Sequence, residues 1–411
     1  MEQKNNISSV GIICEFNPLH NGHVYLMKEA RRLVGAEGHV VCVMSGRSTQ
    51  RGELAVTEPF ARGGMALLGG ADVVIELPFP WSSGSAEAFA LGGVHILASL
   101  GVKHLLFGSE CGRMDLLEQG AALTGTPEFS QCYAELCREG VGTATAYTRA
   151  LHTLATDLPE EFPASNDLLG VAYLSAIRHL GVDMVAHTLP RMGQDYRDEV
   201  LTDPAFPSAT ALRRLIHEAS SDLYSLEAML EGTMPRKALD ILTEEIQNGR
   251  APVDMAPLYA YYHTFFRLHQ GAAGREAIAE MRGGLDHHLH KCAMAAHTPA
   301  DFMSAIETKQ YTNARLRRGM LFAVASVTEE DLKALPTYSQ LLAANSRGRQ
   351  YLSALRKASR GDGMTIVTKP ADTPDGRQKD LNQRLDALFT LCLPQPKEAG
   401  WLMKKAPYIT D

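Results

Sequence analysis

Through the first half of the chain, short runs of consecutive apolar residues alternate with amphipathic segments. Residues 10–16, 39–44, 72–77 and 104–107 are four to seven residues long and rich in Val, Ile, Leu and Phe. They predict buried strands. Residues 24–33 and 85–100 have helical spacing. A third helix is predicted to open at Thr57-Glu58-Pro59, with Thr57 as N-cap and Pro59 in the first turn, and to stop at Gly69-Gly70. Residues 184–189 predict a fifth strand. Strands alternating with crossover helices imply an α/β fold with a parallel sheet covered on both faces.

The pattern changes after about residue 215. Segments near 225–230, 235–247, 256–269, 275–281, 299–307 and 314–327 have helical spacing, and strand signals are scarce. The tail is mixed, with one β-like run at 363–367 and a turn-rich stretch at 369–378. Two domains are therefore expected: residues 1–217, and a mostly helical C-terminal domain over 218–411. No internal repeat interrupts this division.

Composition narrows the class. Hydrophobic residues make up 45% of the 411, enough to bury real cores, and the net charge of −7 argues against a generic polyanion binder. Cys14, Cys42, Cys111, Cys132, Cys137, Cys292 and Cys392 are scattered and odd in number, as expected of reduced thiols in a cytoplasmic protein. No secretory signal follows the polar N-terminus, and no run of eighteen apolar residues offers a membrane span.

The strongest chemical signal is Asn17-Pro18-Leu19-His20-Asn21-Gly22-His23, placed between the first strand and the first helix. Ligands of open α/β sheets bind beyond the carboxyl ends of the strands, where a helix N-terminus offers N–H groups to phosphate. Gly22 allows close approach. His20 and His23 are positioned to donate hydrogen bonds as charge builds on a phosphate in an in-line displacement. A second signal, Ser208-Ala209-Thr210-Ala211-Leu212-Arg213, suits outer phosphates, although Ser208 would equally serve as a plain N-cap.

Together these segments resemble the two signatures of the HxGH nucleotidyltransferase superfamily. The match becomes specific through Met44-Ser45-Gly46, Gln50-Arg51-Gly52-Glu53, Ile75-Glu76-Leu77-Pro78, Phe107-Gly108-Ser109-Glu110, Ser165-Asn166-Asp167, Tyr311-Thr312-Asn313-Ala314-Arg315 and Asn345-Ser346-Arg347-Gly348-Arg349. From about residue 8 to 370 the chain resembles the tRNA(Met) cytidine acetate ligase family. That resemblance implies a Rossmann-like nucleotidyltransferase fold. It implies ATP, with its Mg2+, as cofactor, and acetate and elongator tRNA(Met) as partners. Acetate would be adenylylated, and the acetyl group passed to the wobble cytidine to give N4-acetylcytidine. His20 and His23 would be catalytic. ATP contacts would include Ile13, Cys14, Glu15, Phe16, Asn17, Pro18, His20, Gly22, His23, Gly108, Asn166 and Arg191, with Ser208, Thr210 and Arg213 from the second signature. The sequence departs from the family at Arg47-Ser48-Thr49, where more apolar residues are usual, and the loop 45–52 is where an acyl pocket is expected.

Other polar groups leave alternatives. Arg51 is either a solvated loop residue or a phosphate contact. Asn166 is either the N-cap of a helix or an ATP contact. Asp72 reads as a turn residue facing away from the site, and Glu76 as a possible site neighbour. His287, His288, His290 and Cys292 crowd together, but His287 and His288 point to different helix faces, so a polar helix face is preferred to a metal centre. Residues 308–360 carry ten Lys and Arg against three acids, with Tyr311 and Tyr338 interleaved, which predicts an RNA-binding patch. Lys309, Arg315, Arg317, Arg318, Arg347 and Arg349, with Arg51, are its expected contacts. The competing readings are a metabolic adenylyltransferase acting on a phosphorylated cofactor precursor and a non-catalytic nucleotide-sensing RNA-binding protein.

Overall fold

A computed structural model describes residues 9–191, 201, 203–269, 277–358 and 364–411. The first half builds β1 (Ser9–Cys14), α1 (Asn21–Val34), β2 (His39–Ser45), α2 (Pro59–Gly69), β3 (Val73–Leu77), α3 (Ala86–Ser99) and β4 (His104–Ser109). Then come α4 (Met114–Thr124), α5 (Pro127–Arg138), α6 (Thr143–Leu154), α7 (Ser165–Leu180), β5 (Val185–Pro190) and α8 (Ala209–Ala219). The five strands expected from sequence are present. They lie in the order β5-β4-β1-β2-β3, all parallel. The order reverses between β4 and β1, so a crevice opens beyond their carboxyl ends.

Alternation along the strands explains the two-sided burial. Val10, Ile12 and Cys14 face one apolar cluster with Val40, Cys42 and Met44; Ile13, Val41 and Val43 face the other with Trp81, Phe89 and Phe107. The first cluster continues without a break into the helical part, through Leu239, Tyr262, Phe302 and Phe322.

That part contains α9 (Leu223–Leu230), α10 (Arg236–Gln247), α11 (Ala256–Leu268), α12 (Leu285–Ala295), α13 (Pro299–Ala305), α14 (Asn313–Ala325) and α15 (Glu329–Lys333). The helix expected at 275–281 falls partly outside the described residues; over 277–281 the chain instead makes an isolated bridge between Ile278 and Thr328.

The expected boundary at 217/218 is not the limit of the sheet. β6 (Tyr338–Ala344) returns to pair antiparallel with β3, and β7 (Thr365–Val367) and β8 (Tyr408–Ile409) pair with β6. The sequence 338–344 is buried throughout yet lacks β-branched residues, so it gave no strand signal. α16 (Ser346–Ala358) and α17 (Arg377–Leu391) complete the chain.

Two helix starts differ from expectation. α2 is capped by Glu58, whose carboxylate accepts from Phe60 and Ala61 N–H, while Thr57 turns to Glu245. α7 starts after Ala164 with Asp167 closing its first turn, so Asn166 lies inside the helix and is not its cap. Among the described residues, no helix is long and apolar enough to cross a membrane.

Candidate active site

At the β4–β1 crevice lies a cavity of about 710 Å³. Residues from β1, α1, the loop after β2, β4, α7, α8 and α14 line it. The chain leaves β1 through Phe16, whose φ of 44° is a left-handed conformation that non-glycine residues rarely hold. Local hydrogen bonds fix this exit. Asn17 Oδ1 accepts from Val56 N–H at 2.7 Å, and Pro18 follows Asn17 through a cis peptide. Arg213 Nη1 donates to Asn17 carbonyl oxygen at 2.9 Å and Nη2 to Thr210 Oγ1 at 3.1 Å. The two sequence signatures, nearly two hundred residues apart, are thus joined directly.

His20 is the N-cap of α1. Its Nδ1 accepts from Gly22 N–H at 3.1 Å, while His23 Nδ1 accepts from His20 N–H at 3.3 Å. A Cβ on residue 22 would come within 2.9 Å of His20 Cε1, so glycine is what lets the imidazole fold over the helix end. A backbone N–H can only donate, so both Nδ1 atoms are unprotonated, and each neutral ring carries its proton on Nε2. Electrostatics agree. Burial, then Arg191 and Arg213, push the His20 pKa down to about 3, and burial, His20 and Arg191 hold His23 well below its ordinary value. The rings lie against each other, centroids 3.8 Å apart and planes tilted by 34°. Two Nε2–H donors on one helix N-terminus suit an anion.

Ile13, Cys14, Glu15, Gly108, Asn166, Arg191, Thr210 and Arg213 also line the cavity. Pro18 and Ser208 do not appear on its wall: Pro18 shapes the turn, and Ser208, buried, caps α8 by accepting from Ala211 N–H. A Cβ on Gly108 would meet Arg191 Cγ at 3.3 Å, so that glycine admits the arginine. Asn166 lies on the wall, where Glu110 accepts from both its side chain and its N–H. Phe89, Phe107, Leu168, Leu169 and Tyr173 supply an apolar wall.

Sequence reasoning missed Arg62, the one charged residue of α2 and fully buried. Its guanidinium donates to the carbonyls of Thr57, Glu15, Ser45 and Gly46, tying together the exits of β1 and β2. Burial lowers its pKa to about 10 against the pull of Glu15 and Glu58. A lone arginine in an otherwise apolar helix was the available signal.

The loop after β2 is arranged differently from expectation. Arg47 turns away from the cavity and pairs with Glu76 at 2.6 Å and Asp386 at 3.0 Å, all three buried. Glu76 is thereby a structural anchor. Ser48 bonds Ser83, and only Thr49 of Arg47-Ser48-Thr49 reaches the cavity, beside Gln50, Arg51 and Glu53. Gly52, at φ 76°, passes so close to α14 that a Cβ would lie 2.5 Å from Arg318 N.

The basic stretch does not form one patch. Arg317 faces the cavity and pairs with Glu53 at 2.5 Å. Arg318 lines it too but is buried against Glu280, and Arg315 donates to the carbonyls of Glu280 and Arg282. Lys309 is exposed. Arg347 lies at the amino end of the sheet, opposite the cavity, donating to Ala36 and Gly38 carbonyls near Asp72; Arg349, next along α16, pairs with Asp411. Tyr311 and Tyr338 are buried, unavailable for stacking on a base. Linear charge counting overstates the patch because Arg315, Arg318 and Arg347 satisfy carbonyls and carboxylates within the fold. Asp72, as expected, faces away from the site, accepting from Val40 N–H and Asn345. His288 and His290 each reach a different backbone carbonyl, His287 is exposed, and no group of three metal-capable side chains gathers among the described residues.

Comparison with known proteins agrees with this geometry. The HIGH nucleotidyl transferase family model matches residues 7–400. A tRNA(Met) cytidine acetate ligase of Acetivibrio thermocellus is 33% identical over 95% of this chain and 97% of its own. One from a Geobacillus species is 31% identical over 97% and 98%. Crystal structures of Thermotoga maritima TmcAL superpose with TM-scores of 0.87 for the apo form and 0.84 for a form bound with α-thio ATP. They are 30% and 29% identical, and each comparison covers 98% of this chain and 99% of the other. A likeness that spans the sheet, the helical region and the returning C-terminal strands places this chain in the tRNA(Met) cytidine acetate ligase family of HIGH nucleotidyl transferases.

Proposed function

We propose that this protein activates acetate with ATP and transfers the acetyl group to the wobble cytidine of elongator tRNA(Met), giving N4-acetylcytidine. The observation that carries the chemistry is the pair of neutral imidazoles at the N-terminus of α1, each with Nδ1 taken by a backbone N–H and Nε2–H engaged by no acceptor among the described residues. In the first step a carboxylate oxygen of acetate attacks the α-phosphate and pyrophosphate leaves. Charge builds on the α-phosphate oxygens, where His20 and His23 donate, with the guanidinium groups of Arg191 and Arg213 adding positive potential. Neutral donors suit this role because they need no change of protonation during turnover. Thr210 and the start of α8 meet the outer phosphates.

Mg2+ bound with ATP would neutralise phosphate charge. Among the described residues, the carboxylates lining the cavity are Glu15 and Glu53, and Glu53 is engaged by Arg317, too few oxygen ligands for a dedicated cage from these residues alone. The ion is therefore expected on the phosphates. Arg51 and Arg317, on the cavity wall beside Gln50 and Asn313, are the cations best placed to meet tRNA phosphate. Exchange of labelled pyrophosphate into ATP tests the first step: it should require acetate, and exchange without acetate would refute the reading.

A further inference from the structure

The second step needs a group that the first does not. Acetate attacks ATP already ionised, whereas the exocyclic amine of cytosine is conjugated with its ring, a poor nucleophile that must lose a proton as it attacks. Among the described residues, the other obvious bases are engaged. Both imidazoles of the cavity have Nδ1 occupied by a backbone N–H and carry a proton on Nε2, so neither has a basic nitrogen to offer. Glu53 is held by Arg317 at 2.5 Å. The Cys14 thiol donates to Val43 carbonyl oxygen, and burial raises its pKa well above the ordinary value.

Glu15 remains. It follows β1 directly, at the carboxyl-end crevice, and lines the cavity. Gln50 N–H fixes its Oε1 at 2.7 Å, and among the described residues Oε2 has no hydrogen-bond donor. Its backbone carbonyl is held by Arg62 at 2.6 Å. The group is therefore positioned by one oxygen and open through the other.

Resting on the acetate-ligase reading above, we propose that Glu15 is the general base of the acetyl transfer. The N4 lone pair attacks the carbonyl carbon of acetyl-adenylate. The N–C bond forms as the C–O bond to the phosphate breaks, AMP leaves with that electron pair, and the N4 proton passes to Glu15 Oε2. The charged and titratable groups whose fields reach the carboxylate are Arg213 from α8, Arg51 from the loop after β2, Arg62 from α2, the Cys14 thiol and Tyr173 of α7. Burial raises the Glu15 pKa despite Gln50 and the three arginines, giving it more affinity for a proton than a solvated carboxylate has.

The test separates the half-reactions in the full-length chain. Acetate-dependent pyrophosphate exchange reads adenylylation. Chase of preformed enzyme-bound [14C]acetyl-adenylate with unmodified tRNA(Met) transcript reads transfer. Glu15→Gln should slow transfer at least about a hundredfold more than it slows exchange, the usual scale for a lost general base. Transfer by the unsubstituted enzyme should rise with pH through a group titrating above the ordinary carboxylate range and then level. Glu15→Gln should abolish that rise, and Glu15→Asp should restore part of the rate. Equal loss of exchange and transfer would overturn the proposal, showing that Glu15 serves ATP or the fold. So would transfer that keeps pace with exchange. Absence of acetate-dependent exchange in the unsubstituted enzyme would instead refute the acetate-ligase reading itself.

Discussion

His20 does two things that one substitution confounds and two can separate. Its Nδ1 caps α1 by accepting from Gly22 N–H, and its Nε2–H is left to meet phosphate. His20→Ala removes both. Loss of an N-cap costs about 1 kcal/mol of stability, and loss of one donor aimed at transition-state charge costs roughly 10²–10³ in rate, or about 3–4 kcal/mol. His20→Asn removes only the second, since asparagine is among the best N-caps and its amide stops short of the position of Nε2. Urea unfolding should therefore place the asparagine variant near the unsubstituted protein and the alanine variant about 1 kcal/mol below it. Acetate-dependent pyrophosphate exchange should fall to a similar extent in both. An asparagine variant that exchanged at the unsubstituted rate would show that the imidazole is only a cap. Rate losses that followed the unfolded fraction would lead to the same conclusion.

Arg47→Met should destabilise the protein by roughly 3–5 kcal/mol at pH 7, because Glu76 and Asp386 lose their buried partner. The difference from the unsubstituted protein should shrink as pH falls and the orphaned carboxylates take up protons; a urea midpoint unchanged at pH 7 would refute the anchoring role. Arg317→Glu should weaken tRNA binding in a salt-dependent way, whereas Arg347→Glu, at the far end of the sheet, should leave the tRNA dissociation constant unaltered. Filter binding at two salt concentrations checks this, and equal losses would restore the single basic patch. His20 titrates near 3 when folded and near its ordinary value when unfolded, so its contribution to stability is complete above about pH 6.5 and is lost as pH falls toward 3. Substituting Asn for His20 should flatten the acid limb of stability against pH; an identical limb would refute the burial argument.

The parallel strands and the paired imidazoles were legible because local patterns encode them: consecutive apolar runs bounded by turns, and a polar motif fixed between a strand and a helix. What escaped depends on distant partners. β6 is recruited by pairing with β3, and its sequence YSQLLAA has no β-branched residue to announce it. Arg47 looked like part of a substrate loop until Asp386, more than three hundred residues away, claimed it. Arg315, Arg318 and Arg347 counted as surface charge although each is spent on carbonyls or a carboxylate within the fold. Arg62 shows the reverse, a charge hidden in an apolar helix whose purpose appears only when the ends of β1 and β2 meet around it.

Incubating the protein with ATP, acetate and unmodified elongator tRNA(Met), then measuring nucleosides by mass spectrometry, tests the proposed activity most directly. N4-acetylcytidine should appear at the wobble position in an amount that depends on ATP and acetate, and should form more slowly by about a hundredfold or more with His23→Ala, since that imidazole supplies one of the two Nε2–H donors. Unmodified cytidine after complete consumption of ATP, or an acyl group other than acetyl in the presence of acetate, would contradict it.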